Sequence, residues 1–311
     1  MKEFTYIIEP EEEEERIDKW ISGTLPSLSR SYIQKLIREN SVWVNGRAQK
    51  ASYRVKAEDI ICFRIPDASQ PSIPAENIPL SILYEDEDIL IVDKPKGMVV
   101  HPAPGHYSGT LVNAVLFHCK DNLSGINGIL RPGIVHRIDK DTTGSLIVCK
   151  NDTAHQFVAS QLKEHSITRK YRAIIHGRPD IMPGRLEAEE GCIDAPIGRD
   201  EKDRKKMAVN EKNGKRAVTH YKILKTFREY SYIECRLETG RTHQIRVHMA
   251  SIGHPLLGDT VYGGNRKTNY HLEGQTLHAM TIGLKLPSTG AYLEVSAPLP
   301  AYFEHLLEIL E

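Results

Sequence analysis

Apolar positions recur with two periods along this chain, and the change of period divides it. Near the N-terminus Ile17, Trp20 and Ile21 stand at i, i+3, i+4, and Ile33, Leu36 and Ile37 repeat the spacing. Each set predicts a helix with one buried stripe, because 3.6 residues per turn bring those positions to one face. Asn40 stops the second helix, and Val42-Trp43-Val44 before Asn45-Gly46 predicts a strand entering a tight hairpin. Both tryptophans, Trp20 and Trp43, fall on the apolar period, which predicts core packing rather than a surface for stacking bases. Further on, Ile82-Leu83-Tyr84 and Ile89-Leu90-Ile91-Val92 flank the acidic turn Glu85-Asp86-Glu87-Asp88 and predict a second hairpin. Strands are also predicted over 145–149, 170–176, 217–225, 231–238 and 292–296, and helices near 110–118, 153–165, 243–253 and 301–310. Strands in runs with scattered helices predict an α+β fold with a mixed or antiparallel sheet, not alternating βαβ units.

Between the two patterns lie Pro66, Pro71, Pro74 and Pro79, which favour an extended, semi-rigid connection over a core element. The expected organisation is a small domain over 1–65, a linker over 66–79 and a larger domain over 80–311. A chain of 311 residues suits two domains at roughly 150 residues each.

Charge changes the picture only through its distribution, since 41 basic residues balance 41 acidic ones. Six glutamates crowd residues 9–15, whereas Leu28 to Lys56 holds seven basic residues and one acid, Glu39, a net charge of +6. Arg30, Lys35, Arg38 and Arg47 therefore gather around the second helix and its hairpin as a candidate phosphate-binding surface, with an ordinary solvated helix face as the alternative. Arg199 to Arg216, eight basic and four acidic residues with Gly214, reads as a flexible loop that tracks phosphate. The five cysteines lie far apart and form no CxxC pair. That odd count without a signal peptide argues for a reducing compartment. No apolar run approaches the roughly 20 residues that cross a bilayer, so a cytoplasmic protein is expected.

Candidate chemistry concentrates in two stretches. In 134–149 two apolar runs flank a polar loop that sets Asp139 behind His136 and Arg137. Flanking strands would hold that loop rigidly and give the carboxylate a fixed direction. The second stretch, Gly240-Arg241-Thr242-His243-Gln244-Ile245-Arg246-Val247-His248, is dense in donors and opens a helix. His243 and His248 are five apart and do not share a face as a zinc pair would, so no metal is expected. G-x-S-x-G is missing, which argues against a serine triad, and Lys94-Pro95-Lys96-Gly97 has the wrong form for a P-loop. An aspartate acting with arginines remains.

At this point two resemblances become specific. Arg16-Ile17-Asp18-Lys19-Trp20, then Ser29-Arg30-Ser31, then Val42-x-Val44-Asn45-Gly46-Arg47 resemble the S4 RNA-binding domain over about residues 14–64. His136-Arg137-Ile138-Asp139-Lys140-Asp141-Thr142-Thr143-Gly144 resembles the signature loop of the RluA/RluD group of pseudouridine synthases. Other blocks agree in order and spacing over 80–300: Asp93 to Pro102, Thr110 to Asn113, Thr168 to Ala173, Gly240 to His248, and Gly253 to Asp259. Ile138 stands where that group more often has leucine, a small change between similar apolar side chains.

The resemblance implies a small S4 domain of αL type joined to a catalytic domain with a mixed, mostly antiparallel sheet. It also implies isomerisation of uridine to pseudouridine in RNA, with 23S rRNA as the expected target. Asp139 would be the nucleophile, as carboxylates are in retaining glycosidases. Arg246 matches the arginine that pairs with it, Tyr171 the aromatic that packs on uracil and is expected to help remove the C5 proton, and Arg137 the residue that fills the gap left by the displaced base. His136, Arg241 and His243 are expected to contact RNA or pack beside it. No cofactor or metal is expected, and a monomer acting on rRNA, free or within a pre-ribosomal particle, is the default. Three rivals stand beside this: a paralogue acting on tRNA, a non-catalytic S4-domain ribosome-assembly factor, and a carboxylate-dependent hydrolase with Asp141 as its second acid.

Overall fold

A computed structural model describes residues 2–25, 30–65, 73–103, 106–120, 123–124, 132–179, 190–203, 206–264, 266 and 270–311. The chain divides into two compact units, Met1–Gln70 and Pro71–Glu311. Of the predicted linker, residues 66–72 lie outside the described residues, and 73–79 carry no regular structure. Ser29, part of the S4-like pattern, also lies outside them.

The N-terminal unit contains β1 (Lys2–Ile7), α1 (Ile17–Thr24), α2 (Arg30–Arg38), β2 (Val42–Val44), β3 (Arg47–Ala48) and β4 (Ile60–Ile65). Its antiparallel sheet has the order β1-β4-β2-β3. The six apolar residues of the helical stripes are all buried, in one cluster with Val42, Val44 and Phe63. Asn45 and Gly46 take φ values of 50° and 75°, the positive pair that the hairpin needs. Trp20 is in this core, but Trp43 is not. Strand alternation turns Val42 and Val44 inward and Trp43 outward, where the Arg64 guanidinium lies 5.2 Å from its ring centre.

The larger unit contains β5 (Ser81–Glu85), β6 (Ile89–Lys94), α3 (Leu111–Cys119), β7 (Thr143–Cys149), α4 (Asp152–Lys163), β8 (Thr168–His176), β9 (Glu190–Asp194), β10 (Ile197–Arg199) and β11 (Met207–Val209). β12 (Val218–Thr226), β13 (Tyr230–Leu237), α5 (Gln244–Ser251), β14 (Leu277–Lys285), β15 (Tyr292–Ser296) and α6 (Ala301–Ile309) follow. Nine strands form one sheet in the order β5-β6-β7-β14-β8-β13-β12-β9, with β15 also pairing β14. Every pairing in it is antiparallel except β7 with β14. The sheet is mixed and mostly antiparallel.

Both faces of the central strands are covered, so their sequences are apolar without alternation. Leu90, Val92, Leu146 and Val148 pack on one side with Val112 and Val115 of α3 and Ile245 and Met249 of α5. Ile89, Ile91, Ile147 and Cys149 pack on the other with Ala154 and Val158 of α4. Gly144 fixes the parallel seam. Its φ is +107°, and a Cβ there would lie 2.3 Å from the Ala279 carbonyl oxygen of β14.

One expectation is corrected here. The basic segment 199–216 is not one long loop, because β10 and β11 pair as an antiparallel ribbon, with residues 204–205 outside the described ones. Among the described residues no helix is long and apolar enough to cross a membrane.

Candidate active site

Asp139 lies in the loop that leads into β7, and four contacts hold that loop. Thr142 N–H donates to the Asp139 carbonyl at 3.1 Å and closes a tight turn. Gly97 N–H donates to the Lys140 carbonyl at 3.0 Å, and Gln275 Nε2 to Thr142 Oγ1 at 3.0 Å. Lys94, fully buried at the end of β6, gives its Nζ to the carbonyls of Pro95, Met98 and Lys140 at 2.8, 2.9 and 2.9 Å. Burial pushes its pKa down to about 7, against the pull of Asp141, Asp139 and Asp93. Both sides of the loop are thus tied before any side chain of the site is placed.

The facing wall is the start of α5. Gln244 Oε1 accepts from Arg241 N–H at 2.9 Å and Thr239 Oγ1 at 2.8 Å, while its Nε2 donates to Val218 O and Thr219 Oγ1. This buried amide fastens the turn to β12 and puts His243 in the left-handed region at φ 57°. His248 is structural. Its Nε2–H donates to Ala195 O and its Nδ1 accepts from Thr219 Oγ1, both at 2.9 Å.

Arg246 joins the two walls. Its Nη1 donates to Asp139 Oδ2 at 2.8 Å, and its Nε and Nη2 grip Asp259 at 2.7 and 2.9 Å. The Tyr262 ring packs 5.0 Å from its guanidinium carbon. Burial works against the arginine's charge, but Asp259 first and Asp139 next outweigh it and raise its pKa. Burial likewise opposes ionisation of Asp259, yet Arg246 and the N–H groups of Tyr262 and Val261 hold its pKa below the usual carboxylate range. Among the described residues Asp139 Oδ1 has no such clamp; its near neighbour is His243 Nε2 at 3.7 Å. His243 binds Tyr262 Oη through Nδ1 at 2.7 Å, and burial lowers its pKa, with Asp139 opposing.

Arg137, Asp139, Tyr171, Arg241, His243 and Arg246 all line one small open pocket of about 60 Å³, whose apolar wall includes Ile138, Leu237, Ile245 and Leu277. The structure therefore brings together the expected residues of the larger unit, His136 excepted. Arg137 is exposed at the mouth, and Tyr171 is buried in the wall, its phenol pushed to a higher pKa by burial and held protonated. His136 lines an adjoining groove rather than the pocket. Its Nε2 accepts the Ile147 N–H at 3.0 Å, so the ring is neutral, and burial with Arg169 lowers its pKa to about 3. Asp141, the second acid a hydrolase would use, does not line the pocket.

In the N-terminal unit Lys35, Arg38 and Arg47 are exposed. Arg30 is partly committed, with Nε and Nη2 on buried Asp18 at 3.0 and 3.3 Å. Among the described residues no group of three or more His, Cys, Asp or Glu could hold a metal ion. The role of Asp259 was not foreseen; its only signal was its place in the Gly253–Asp259 block. Lys94 lies inside the Asp93–Pro102 block, where no local signal shows that three carbonyls converge on it.

Comparison with known proteins agrees with this geometry. The family model for RNA pseudouridylate synthase matches residues 88–251, and that for the S4 domain matches residues 15–61. An uncharacterised RNA pseudouridine synthase, YlyB of Bacillus subtilis, is 49% identical over 300 residues, covering 96% of this chain and 95% of its own. The ribosomal large subunit pseudouridine synthase D of Zymomonas mobilis is 45% identical over 304 residues, covering 95% and 93%. The solved human RNA pseudouridylate synthase domain containing 4 superposes with a TM-score of 0.55 at 25% identity, covering 74% of this chain and 92% of its own.

Proposed function

Since the chain belongs to the RNA pseudouridylate synthase family and isomerises uridine to pseudouridine in RNA, we propose that Asp139 is its nucleophile and a uridine of 23S rRNA its target. The observation that carries the assignment is the asymmetric clamp on Asp139. Arg246 fixes Oδ2 at 2.8 Å and leaves Oδ1 without a comparable clamp, on a residue that lines a pocket with an apolar wall. A carboxylate held by one oxygen and open at the other is aimed and still has lone pairs to attack with.

In this reading Asp139 attacks the target nucleotide at C1′ or at a ring carbon, and the N1–C1′ bond breaks. The freed base turns within the pocket and joins the sugar through C5, which releases the carboxylate. The proton leaves C5 and one is gained at N1, so the product is an isomer and no oxidant or energy source is consumed. Tyr171 packs on the uracil; as a protonated phenol it serves better as a wall than as a resident base. Arg137, exposed at the mouth, occupies the gap in the RNA stack. His243, Arg241 and His136 border the RNA path.

The N-terminal unit, read as the S4 domain of residues 1–65 ahead of a linker over 66–79 and a catalytic domain over 80–311, grips structured RNA through Arg30, Lys35, Arg38 and Arg47. The large-subunit names among the relatives favour 23S rRNA; we take the substrate as free rRNA or a pre-ribosomal particle and the protein as a monomer working in the cytoplasm. The deciding experiment treats unmodified 23S rRNA transcript with wild-type protein or Asp139→Asn and maps pseudouridine by carbodiimide-dependent primer-extension stops. Stops with the wild type alone support the assignment. Turnover by Asp139→Asn would remove Asp139 as nucleophile, and stops on tRNA but not on 23S rRNA would move the target.

A further inference from the structure

The pocket opens into a groove of about 530 Å³ that shares Arg137, Asp139 and Tyr171 with it and continues along Lys163, His165 and Arg169. Among the described residues that line this groove Asp139 is the one acid, against four arginines and lysines and three histidines. Lys163 and His165 are exposed at its rim, just where α4 ends. Arg169 differs from them. It sits two residues before Tyr171 on β8, so both side chains leave the same face of the strand, and it is only 7% exposed.

Its contacts leave it unfinished. Nη2 donates to the Glu238 carbonyl at 2.8 Å, while Nε is buried with no hydrogen-bond partner. Its described interactions include no carboxylate. The guanidinium runs beneath Gly240, where a Cβ would come within 2.6 Å of Nη1, so the bare backbone of the site turn lets it lie there. Burial alone pulls its pKa down, with Tyr171 the single opposing influence, and the charge is felt by His136 nearby. A buried guanidinium without an anion costs free energy, because hydration lost on burial is not replaced. Such a group makes sense where an anion arrives with the substrate, and its planar fork of donors suits a phosphate.

We propose that Arg169, with Lys163 and His165 at the rim, forms a subsite for one backbone phosphodiester of the RNA next to the target uridine. The subsite fixes the strand while the base enters the Asp139 pocket. It rests on the reading of Asp139 as the reaction centre, and it adds a residue that positions substrate without touching the reacting atoms.

The test is ethylation interference. A 23S rRNA transcript carrying about one ethylated phosphate per molecule is sorted for binding to wild-type protein, Arg169→Met or Arg169→Lys. Wild type should reject RNA ethylated at one phosphate beside the uridine it modifies, and Arg169→Met should accept it. In steady state Arg169→Met should raise KM on the order of tenfold with kcat nearly kept, because the contact is made equally in ground and transition states. The slope of log K against log salt should fall by about 0.7, and Arg169→Lys should restore part of each effect. Arg169→Met should also melt no lower than wild type, since an uncompensated buried charge is gone. A fall in kcat with KM and the interference pattern unchanged would overturn the proposal and leave Arg169 as a brace for the Gly240 turn. Should Arg169→Met not fold, the paired change of exposed Lys163→Gln and His165→Gln carries the interference test, and an unaltered pattern there counts against the subsite. Because interference is read from binding, it decides the subsite even if Asp139→Asn still makes pseudouridine, a result that would instead remove the parent reading.

Discussion

In the N-terminal unit Asp18 sits at the centre of a closed cluster, taking hydrogen bonds from Arg16 and Arg30, each through two nitrogens, and from Gln34 Nε2 at 2.6 Å. In the larger unit the arginine holds the central place. Arg246 is held on all three nitrogens by Asp259 and Asp139, while Asp139 gives up one oxygen and remains 19% exposed. Both clusters pair carboxylates with guanidinium groups, but they differ in which partner is complete. A carboxylate with five donors has no lone pair to offer and can only hold α1 to α2. An arginine with two carboxylates can keep one of them rigid and the other reactive. Asp259 is therefore to Arg246 what the two arginines are to Asp18, the group that closes the shell so that the neighbour stays where it is.

This contrast can be broken in graded steps. Asp139→Asn should lower turnover by about 10⁴-fold or more while RNA affinity hardly moves, measured by single-turnover pseudouridine formation beside filter binding. Asp259→Ala should come next. With Asp259 gone Arg246 can swing toward Asp139, so kcat should drop about 100-fold and chemical denaturation should show a loss of about 3 kcal/mol. An unchanged kcat would mean that Asp259 does not hold the aim.

Asp18→Ala should cost about 1–2 kcal/mol in the stability of the N-terminal unit, less than a deeply buried pair because Arg16 and Arg30 stay half in water. Loss of kcat in that variant would blur the distinction between the clusters. Both Asp18 and Asp259 are held below the ordinary carboxylate range, burial opposing and the arginines prevailing. Their stabilisation should thus be complete above about pH 4 and should fade as pH drops through the lowered native values, seen as acid unfolding that Asp18→Ala and Asp259→Ala each make shallower. The smallest effects belong to Arg38→Gln and Arg47→Gln. Each should weaken RNA binding a few-fold and reduce the salt slope by about 0.7 to 0.9. No change of slope in either would make the basic patch a solvated face.

Much of the scaffold could be read from the chain because its signals are local. Asn45-Gly46 announces its own turn, the stripes on α1 and α2 announce their buried faces, and the acidic turn at 85–88 sits between two apolar runs that do pair. β14 was not foreseen, although it lies at the centre of the sheet. It is buried on both faces, so it shows no alternation, and His278, Thr281 and Gly283 break its apolar run. His278 Nδ1 meets Thr143 Oγ1 at 2.8 Å, a contact whose partner is 135 residues away and leaves no trace in local pattern. The site divides the same way. Asp139, Tyr171 and Arg246 came from motif resemblance, whereas Asp259, Lys94 and Arg169 owe their importance to what surrounds them in space.

The place of β14 also sets when the protein can become active during its own synthesis. β7 and β8 are both neighbours of β14, which emerges about a hundred residues after β8 ends. At translation speeds of roughly 5–20 residues per second, those two strands wait on the order of ten seconds for the strand that joins them. Until then the loop bearing Asp139 has no Ala279 carbonyl against Gly144 and no Gln275 amide on Thr142. A nascent chain thus completes the N-terminal unit early and the surroundings of Asp139 last, so the isomerase should be inactive until β14 has joined β7 to β8.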